Sequence, residues 1–333
     1  MLYRNGLVAI LFNRVKGYSF CMSELGAETK ANVEVSDIPK GANPITGMPD
    51  GYNAHFRVPI IHHKTIGRLR LSRQRFAENR VAIPGNKQFC FLSRLTTSDT
   101  LVVTFHGANM ASKNQPYPRY ERARTFMKTK ASFACIADST IQDTDLLLAW
   151  YLGDRKHDPM DFIDVAVSRA MKKIGATHVI FVGGSGGGYA ALRAALRTPN
   201  GHAFLESPRL FLDTAAERSM RLYLKQFWRG KTVPDLQKLD PERFDAYRSQ
   251  IAQSPEGKVY YLQGLYDPTF LWSEYRLAKK LTGLESPMGI SPTGSVRFEL
   301  FESETQKHGP PPFETFKSHW RQANDFFGTA VKL

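Results

Sequence analysis

The stretch HVIFVGGSGGGYAALRAAL, residues 178–196, constrains the chain more than any other. An apolar run, Val179–Val182, meets Ser185 in the middle of five glycines, and an alanine- and leucine-rich stretch follows. A buried strand that turns straight into a helix is the unit of a parallel α/β sheet. Gly183-Gly184-Ser185-Gly186-Gly187 spells G-x-S-x-G, a turn so tight that side chains beside the serine would clash. The helix beginning there points its free N–H groups and positive dipole end at the site, so the Gly186 N–H can bind an oxyanion. Two other readings fit the same glycines. One is a plain glycine-rich turn. The other is a dinucleotide cradle, because Gly186–Ala191 matches G-x-G-x-x-A and Glu206 follows about 20 residues on. A P-loop is excluded, since no Gly-Lys-Ser/Thr follows.

A serine nucleophile needs a base, and the base an orienting acid, in the chain order Ser, acid, His. Asp267 follows the strand VYYLQG, and His308 follows the strand VRFELF, each on a loop past the strand's carboxyl end. Gly309 and the prolines after it stiffen the His308 loop. All three groups thus emerge at the sheet edge where open α/β folds bind ligands. His319, inside the last helix, is the rival base, and Glu206 the rival acid. A fourth element is LVVTFHGANM, in which Leu101–Phe105 ends in His106-Gly107-Ala108. A loop of this type supplies a second oxyanion donor, here the backbone of Ala108 or its neighbour, with His106 as a packing residue.

Around these motifs, residues 96–333 alternate strand and helix. Expected strands are Leu101–Phe105, Phe133–Ala137, Val179–Val182, Ala203–Leu205, Val259–Leu262 and Val296–Phe301. Helical spacing places Phe162, Val165, Ala166 and Ala170 on one face of Asp161–Ile174, and Phe313, Phe316, Trp320, Ala323 and Phe327 on one face of Phe313–Phe327. The fold class is α/β, a doubly wound, mostly parallel sheet. An insertion over residues 208–256 exceeds what a crossover needs, and it forms either a lid or a peripheral helical pair. Residues 1–95 read as a β-rich module or a sheet extension, with strands at Leu7–Phe12, Tyr18–Met22, Asn32–Val35 and His55–Ile61 and a loop at Gly41–Asn53.

Composition is that of a globular protein, 42% hydrophobic and 23% charged. The apolar run Leu7–Phe12 is too short for a membrane span or a secretory signal. Cys21, Cys90 and Cys135 are far apart, which fits a reducing compartment and a cytoplasmic protein. Cys135 reads as a buried small hydrophobe. His62-His63 and Asp143/Asp145 lack the companions a metal site needs, so neither metal nor cofactor is expected. The formal charge of +14 draws anionic partners, and Arg68, Arg70, Arg73 and Arg75 form a basic stretch. No nucleic-acid motif accompanies the charge.

Residues 96–330 resemble the α/β-hydrolase superfamily. The HG loop, the GxSxG turn, Asp267 and His308 come in that family's order, and the six strands match its third to eighth. The resemblance implies a serine acyl-ester hydrolase or acyltransferase with Ser185 as nucleophile, His308 as base, Asp267 as acid, and Ala108 and Gly186 as oxyanion donors. LAWYLGD, GGSGGGYAALRAAL and ESPRL also resemble a bacterial subgroup linked to surface-polysaccharide biosynthesis and accessory secretion. That likeness implies a glycan ester as substrate. A binding protein without catalysis, holding an anionic glycan, nucleic acid or protein, and a nicotinamide-dependent enzyme are the alternatives.

Overall fold

The computed structural model describes residues 51–71, 76–109, 117–215, 217–251, 257–302 and 307–333. The strands expected at Leu7–Phe12, Tyr18–Met22 and Asn32–Val35, most of the Gly41–Asn53 loop, Cys21, Arg73 and Arg75 lie outside the described residues. The described strands are β1 (Tyr52–Asn53), β2 (Val58–His63), β3 (Phe76–Ile83), β4 (Lys87–Arg94), β5 (Thr100–Phe105) and β6 (Ser132–Ile136). They continue with β7 (His178–Ser185), β8 (Gly201–Pro208), β9 (Val259–Gly264), β10 (Gly289–Ile290) and β11 (Val296–Phe301).

These form one 11-stranded sheet, ordered β1-β2-β3-β4-β6-β5-β7-β8-β9-β11-β10. From β6 to β11 every neighbouring pair is parallel. β3 and β4 pair antiparallel, β4 joins β6 antiparallel, and β2 extends the sheet beyond β3. The described part of residues 1–95 therefore continues the main sheet. β3 and β4 fill the first and second places that the pattern had left empty.

β5, β6, β7, β8 and β9 carry apolar runs because helices cover both faces of the sheet. Pro159–Ile174 and Gly186–Arg197 pack on one face, and Ala123–Met127 and Phe313–Phe327 on the other. Pro159–Ile174 buries Met160, Ile163, Ala166, Val167, Ala170 and Ile174. That face is rotated slightly from the expected one, and Phe162 and Val165 are only half-buried. Phe313 was expected in the core but is 52% exposed, because Phe313–Phe327 starts directly after Pro312, beyond the edge of the core.

The insertion forms Glu217–Phe227, Val233–Leu239, Pro241–Phe244 and Ala246–Gln250. Its Met220, Tyr223, Trp228, Leu236, Phe244 and Ala246 pack on Trp150, Leu152 and Tyr189 in a separate core. Its described helices thus form a layer packed on the segment Trp150–Leu152 and on Tyr189 of the helix after β7. Among the described residues, no helix is long and apolar enough to cross a membrane.

Chain order reverses direction around β5. β6 lies on one side of it and β7 on the other. A crevice opens where the loops leaving β5 and β7 part in opposite directions, which is where open α/β sheets bind ligands.

Candidate active site

Ser185 ends β7 and caps the helix Gly186–Arg197, with φ 51 and ψ −123. A non-glycine residue in that region is strained and persists only where its surroundings enforce it. The enforcement is visible. The Ser185 carbonyl accepts the Arg209 N–H at 2.8 Å, and β7 shifts register at Gly184/Ser185 to meet the end of β8. The helix crowds the end of β5 so closely that a Cβ on Gly187 would lie 2.5 Å from the Phe105 carbonyl oxygen and 2.8 Å from that of His106. Glycine at 187 is thus a condition of the turn.

The loop after β5 lies against this turn. A Cβ on Gly107 would be 3.2 Å from the Gly184 carbonyl oxygen, 3.4 Å from the Ser185 Cβ and 4.0 Å from the Gly186 nitrogen. His106 is buried and fixes the loop. Its Nε2 accepts the Asp138 backbone N–H at 3.0 Å, so the ring hydrogen sits on Nδ1, which donates to the Gly107 carbonyl at 2.7 Å. Burial holds its pKa below the usual histidine range, in keeping with a neutral ring. His106 is a packing residue, as expected. With the Gly107 carbonyl held toward the imidazole, the trans peptide turns the Ala108 N–H the opposite way. Tyr151 completes the support, since its hydroxyl accepts the His106 N–H at 3.0 Å and donates to the Ile136 carbonyl at 2.8 Å.

Asp267 leaves the end of β9, 4% exposed. Its Oδ1 accepts the Phe270 N–H at 3.3 Å, capping the turn Pro268–Phe270. Its Oδ2 meets His308 Nδ1 at 2.6 Å. The cap fixes the carboxylate and leaves its second oxygen for the imidazole. A carboxylate only accepts, so Nδ1 carries the hydrogen, which in the neutral ring leaves the lone pair on Nε2. The Phe270 ring stacks on His308 at 3.9 Å and 21°. The Arg209 guanidinium lies 4.2 Å from the Phe270 centroid on a cation–π contact. Glu274 holds Arg209 Nη1 at 2.5 Å and accepts the Leu210 and Phe211 N–H groups at 2.7 and 3.1 Å. Glu274 sits in the π-helical turn Leu271–Tyr275, a form of helix that recurs at functional sites.

A cavity of about 320 Å³ joins the two sides, with Phe105, Gly107, Ala108, Gly184, Ser185 and His308 in its wall. Ser185 and His308, 123 positions apart by 308 − 185, thus face one space. Gly186 and Asp267 are not in that wall; Gly186 starts the helix directly after Ser185, and Asp267 bonds His308. The rivals lie elsewhere or are otherwise engaged. His319 bonds the Tyr260 hydroxyl at 2.8 Å. Glu206 reaches the cavity but pairs with Arg122 at 2.5 Å. Sequence reasoning missed Arg119, Glu121 and Arg122 in the cavity wall, and Phe270 behind His308.

No protein-family model matches the chain, and no curated protein matches it in sequence. Solved structures do match. The capsule O-acetyltransferase of Neisseria meningitidis serogroup A, in complex with caged gadolinium, aligns at 14% identity with a TM-score of 0.51, covering 73% of this chain and 92% of that one. A mutant of that acetyltransferase in complex with CoA aligns at 14% identity and TM-score 0.52, over 78% of this chain and 99% of that one. The Glycosylation Associate Protein (Gap123) complex of Streptococcus agalactiae aligns at 14% identity and TM-score 0.53, over 77% of this chain and 48% of that one. By its strand order and by these neighbours, the chain has the α/β-hydrolase fold.

Proposed function

We propose that this chain is a serine-dependent acyl-ester hydrolase or acyltransferase. The observation that carries the reading is the 2.6 Å bond from Asp267 to His308 Nδ1, on a histidine that shares a cavity wall with Ser185. In this reading His308 Nε2 takes the proton as the Ser185 Oγ attacks the ester carbonyl. Asp267 holds the tautomer and stabilises the imidazolium that forms. The N–H groups of Ala108 and Gly186 receive the oxyanion, and one such donor is worth about 3 kcal/mol in the transition state. The imidazolium then protonates the leaving alcohol, and water or a sugar hydroxyl takes the acyl group from the serine.

The substrate we propose is an acyl ester of a glycan. The stretches LAWYLGD and ESPRL support it by resemblance, and the neighbours named for capsule O-acetylation and glycosylation agree with it. The charge of +14 favours an anionic glycan by long-range attraction. The proposed place of action is the cytoplasm, which the buried free thiols of Cys90 and Cys135 fit.

A fluorophosphonate probe tests the nucleophile. Wild type is expected to label once, and Ser185→Ala to lose the label together with about 10⁴-fold or more of its ester turnover. Labelling that persists in Ser185→Ala sinks the assignment.

A further inference from the structure

Beside Ser185 the cavity carries a charged pair that the proposed acyl chemistry does not use. Glu206 lies two residues before the end of β8, in register with Gly184, one residue before the proposed nucleophile. Its side chain is buried and lines the cavity. One oxygen, Oε2, accepts Arg122 Nη2 at 2.5 Å. The other, Oε1, is buried with no hydrogen-bond partner among the described residues. Arg122 is fixed in its turn, at φ 56, with its guanidinium 3.9 Å from the Phe316 ring centroid. Arg119, also in the cavity wall, donates to the Ala108 carbonyl at 2.6 Å and pairs with Glu121.

A buried carboxylate oxygen without a donor is costly, and native proteins rarely keep one idle. Burial pushes the Glu206 carboxyl above the usual range, against the opposing pull of Arg122. The pair also lines the cavity, where a substrate group can meet it. An ammonium group is a poor candidate, because Arg122 stands beside the oxygen it would have to reach. A neutral hydroxyl suits the pair where it lines the cavity, since it can donate to the carboxylate and offer its lone pairs to guanidinium N–H groups.

We propose that Glu206 and Arg122 form a hydroxyl-recognition subsite, selecting acyl esters whose alcohol carries a free hydroxyl near the ester, as sugar esters do. This rests on the reading of Ser185 as the nucleophile. Glu206 sets specificity by contact with the substrate and takes no part in proton transfer to or from the serine.

The test compares kcat/KM for methyl 6-O-acetyl-glucopyranoside, which has neighbouring hydroxyls, with that for p-nitrophenyl acetate, which has none. Glu206→Gln keeps an oxygen for Arg122 and replaces the second acceptor oxygen with an NH2 donor. The ratio of sugar ester to aryl ester is expected to fall about tenfold or more, the worth of one hydrogen bond to a charged group. A ratio within twofold of wild type overturns the subsite. If Glu206→Gln does not fold, Arg122→Met/Glu206→Leu removes the pair together, which can leave stability nearly unchanged, and the same ratio is read.

Failure of the acyl reading looks different, because wild type would then neither turn over the aryl ester nor label with a fluorophosphonate. In that event affinity for methyl glucopyranoside, measured by saturation-transfer NMR, decides. Tenfold weaker binding in Glu206→Gln supports the subsite. Equal binding, or none in wild type, overturns it.

Discussion

Around Ser185 the parts touch backbone to backbone, and around His308 they touch ring to ring. Gly187 brings its helix against the Phe105 and His106 carbonyls so closely that a single methyl does not fit. His308, by contrast, is placed by one hydrogen bond to Asp267 and by the flat face of Phe270, itself backed by Arg209 and Glu274. Backbone contacts of the first kind tolerate no adjustment, since moving one carbonyl moves a strand. Side-chain contacts of the second kind can be weakened in steps. The serine side is therefore expected to fail by unfolding, and the histidine side by graded loss of activity.

The largest effect is expected on the serine side. Gly187→Ala puts a Cβ 2.5 Å from the Phe105 carbonyl oxygen. Overpacking against backbone costs about 3 kcal/mol or more, a large share of the stability of an ordinary domain. The expected result is insoluble protein or a melting temperature lowered by many degrees. Gly67→Ala is the control, because a Cβ there meets nothing nearer than the Thr65 hydroxyl at 3.8 Å. Equal melting temperatures for both variants would break the contrast between the two sides.

On the histidine side, Asp267→Asn keeps the oxygen that caps the Phe270 N–H, so the fold is expected to persist. The substituted amide presents an NH2 to His308 Nδ1, which forces the hydrogen to Nε2 and removes the lone pair needed to accept the serine proton. Loss of kcat by about 10³- to 10⁴-fold follows at nearly constant melting temperature. A loss below tenfold would remove Asp267 from its proposed role. Phe270→Leu tests the plate behind the imidazole. It leaves the Asp267 bond and removes a ring stacked at 3.9 Å. We expect kcat to fall about tenfold with KM nearly constant, as for a displaced base. A rise in KM at constant kcat would make Phe270 a substrate contact instead.

The same contrast decides what could be read from the chain. The candidates Ser185, Asp267 and His308 could be picked out because they follow strand ends, and strand ends show as apolar runs broken by glycine or proline. The turn at 183–188 was legible because backbone-to-backbone packing leaves glycine as the trace it requires. Phe270 was not legible, since its stacking depends on the turn that Asp267 caps, and an aromatic three residues past an aspartate has no distinctive pattern. Arg119 and Arg122 lie in YPRYERAR, which has neither strand nor helix periodicity, and they enter the wall beside a turn where Arg122 takes φ 56. β3 and β4 escaped because buried polar residues interrupt their apolar alternation. Glu78, Asn79 and Ser93 are all buried, with Asn79 donating to the Ser93 hydroxyl at 3.1 Å.

The smallest effect is expected far from the cavity, where a histidine is held by a backbone bond and a ring together. His202 is the second residue of β8, toward the opposite end of the strand from Glu206. Its Nδ1 accepts the Lys258 N–H at 3.2 Å, and its ring stacks on Phe327 at 4.9 Å and 9°. Burial lowers its pKa to about 4, helped by His178 and Lys258. The unfolded chain has an ordinary histidine there, titrating near 6.5. As pH falls below about 6.5, the unfolded state takes up a proton that the folded state refuses. Stability therefore falls with pH over this window and levels off near pH 4, where the folded state also accepts the proton. Protonation of Nδ1 would end the Lys258 bond, which is why the folded state resists it. His202→Gln removes the titrating group. Between pH 7.5 and 4.5 its melting temperature should drop less than that of wild type, by about 2 °C or more. Parallel melting curves across that range would show that His202 does not couple folding to protons.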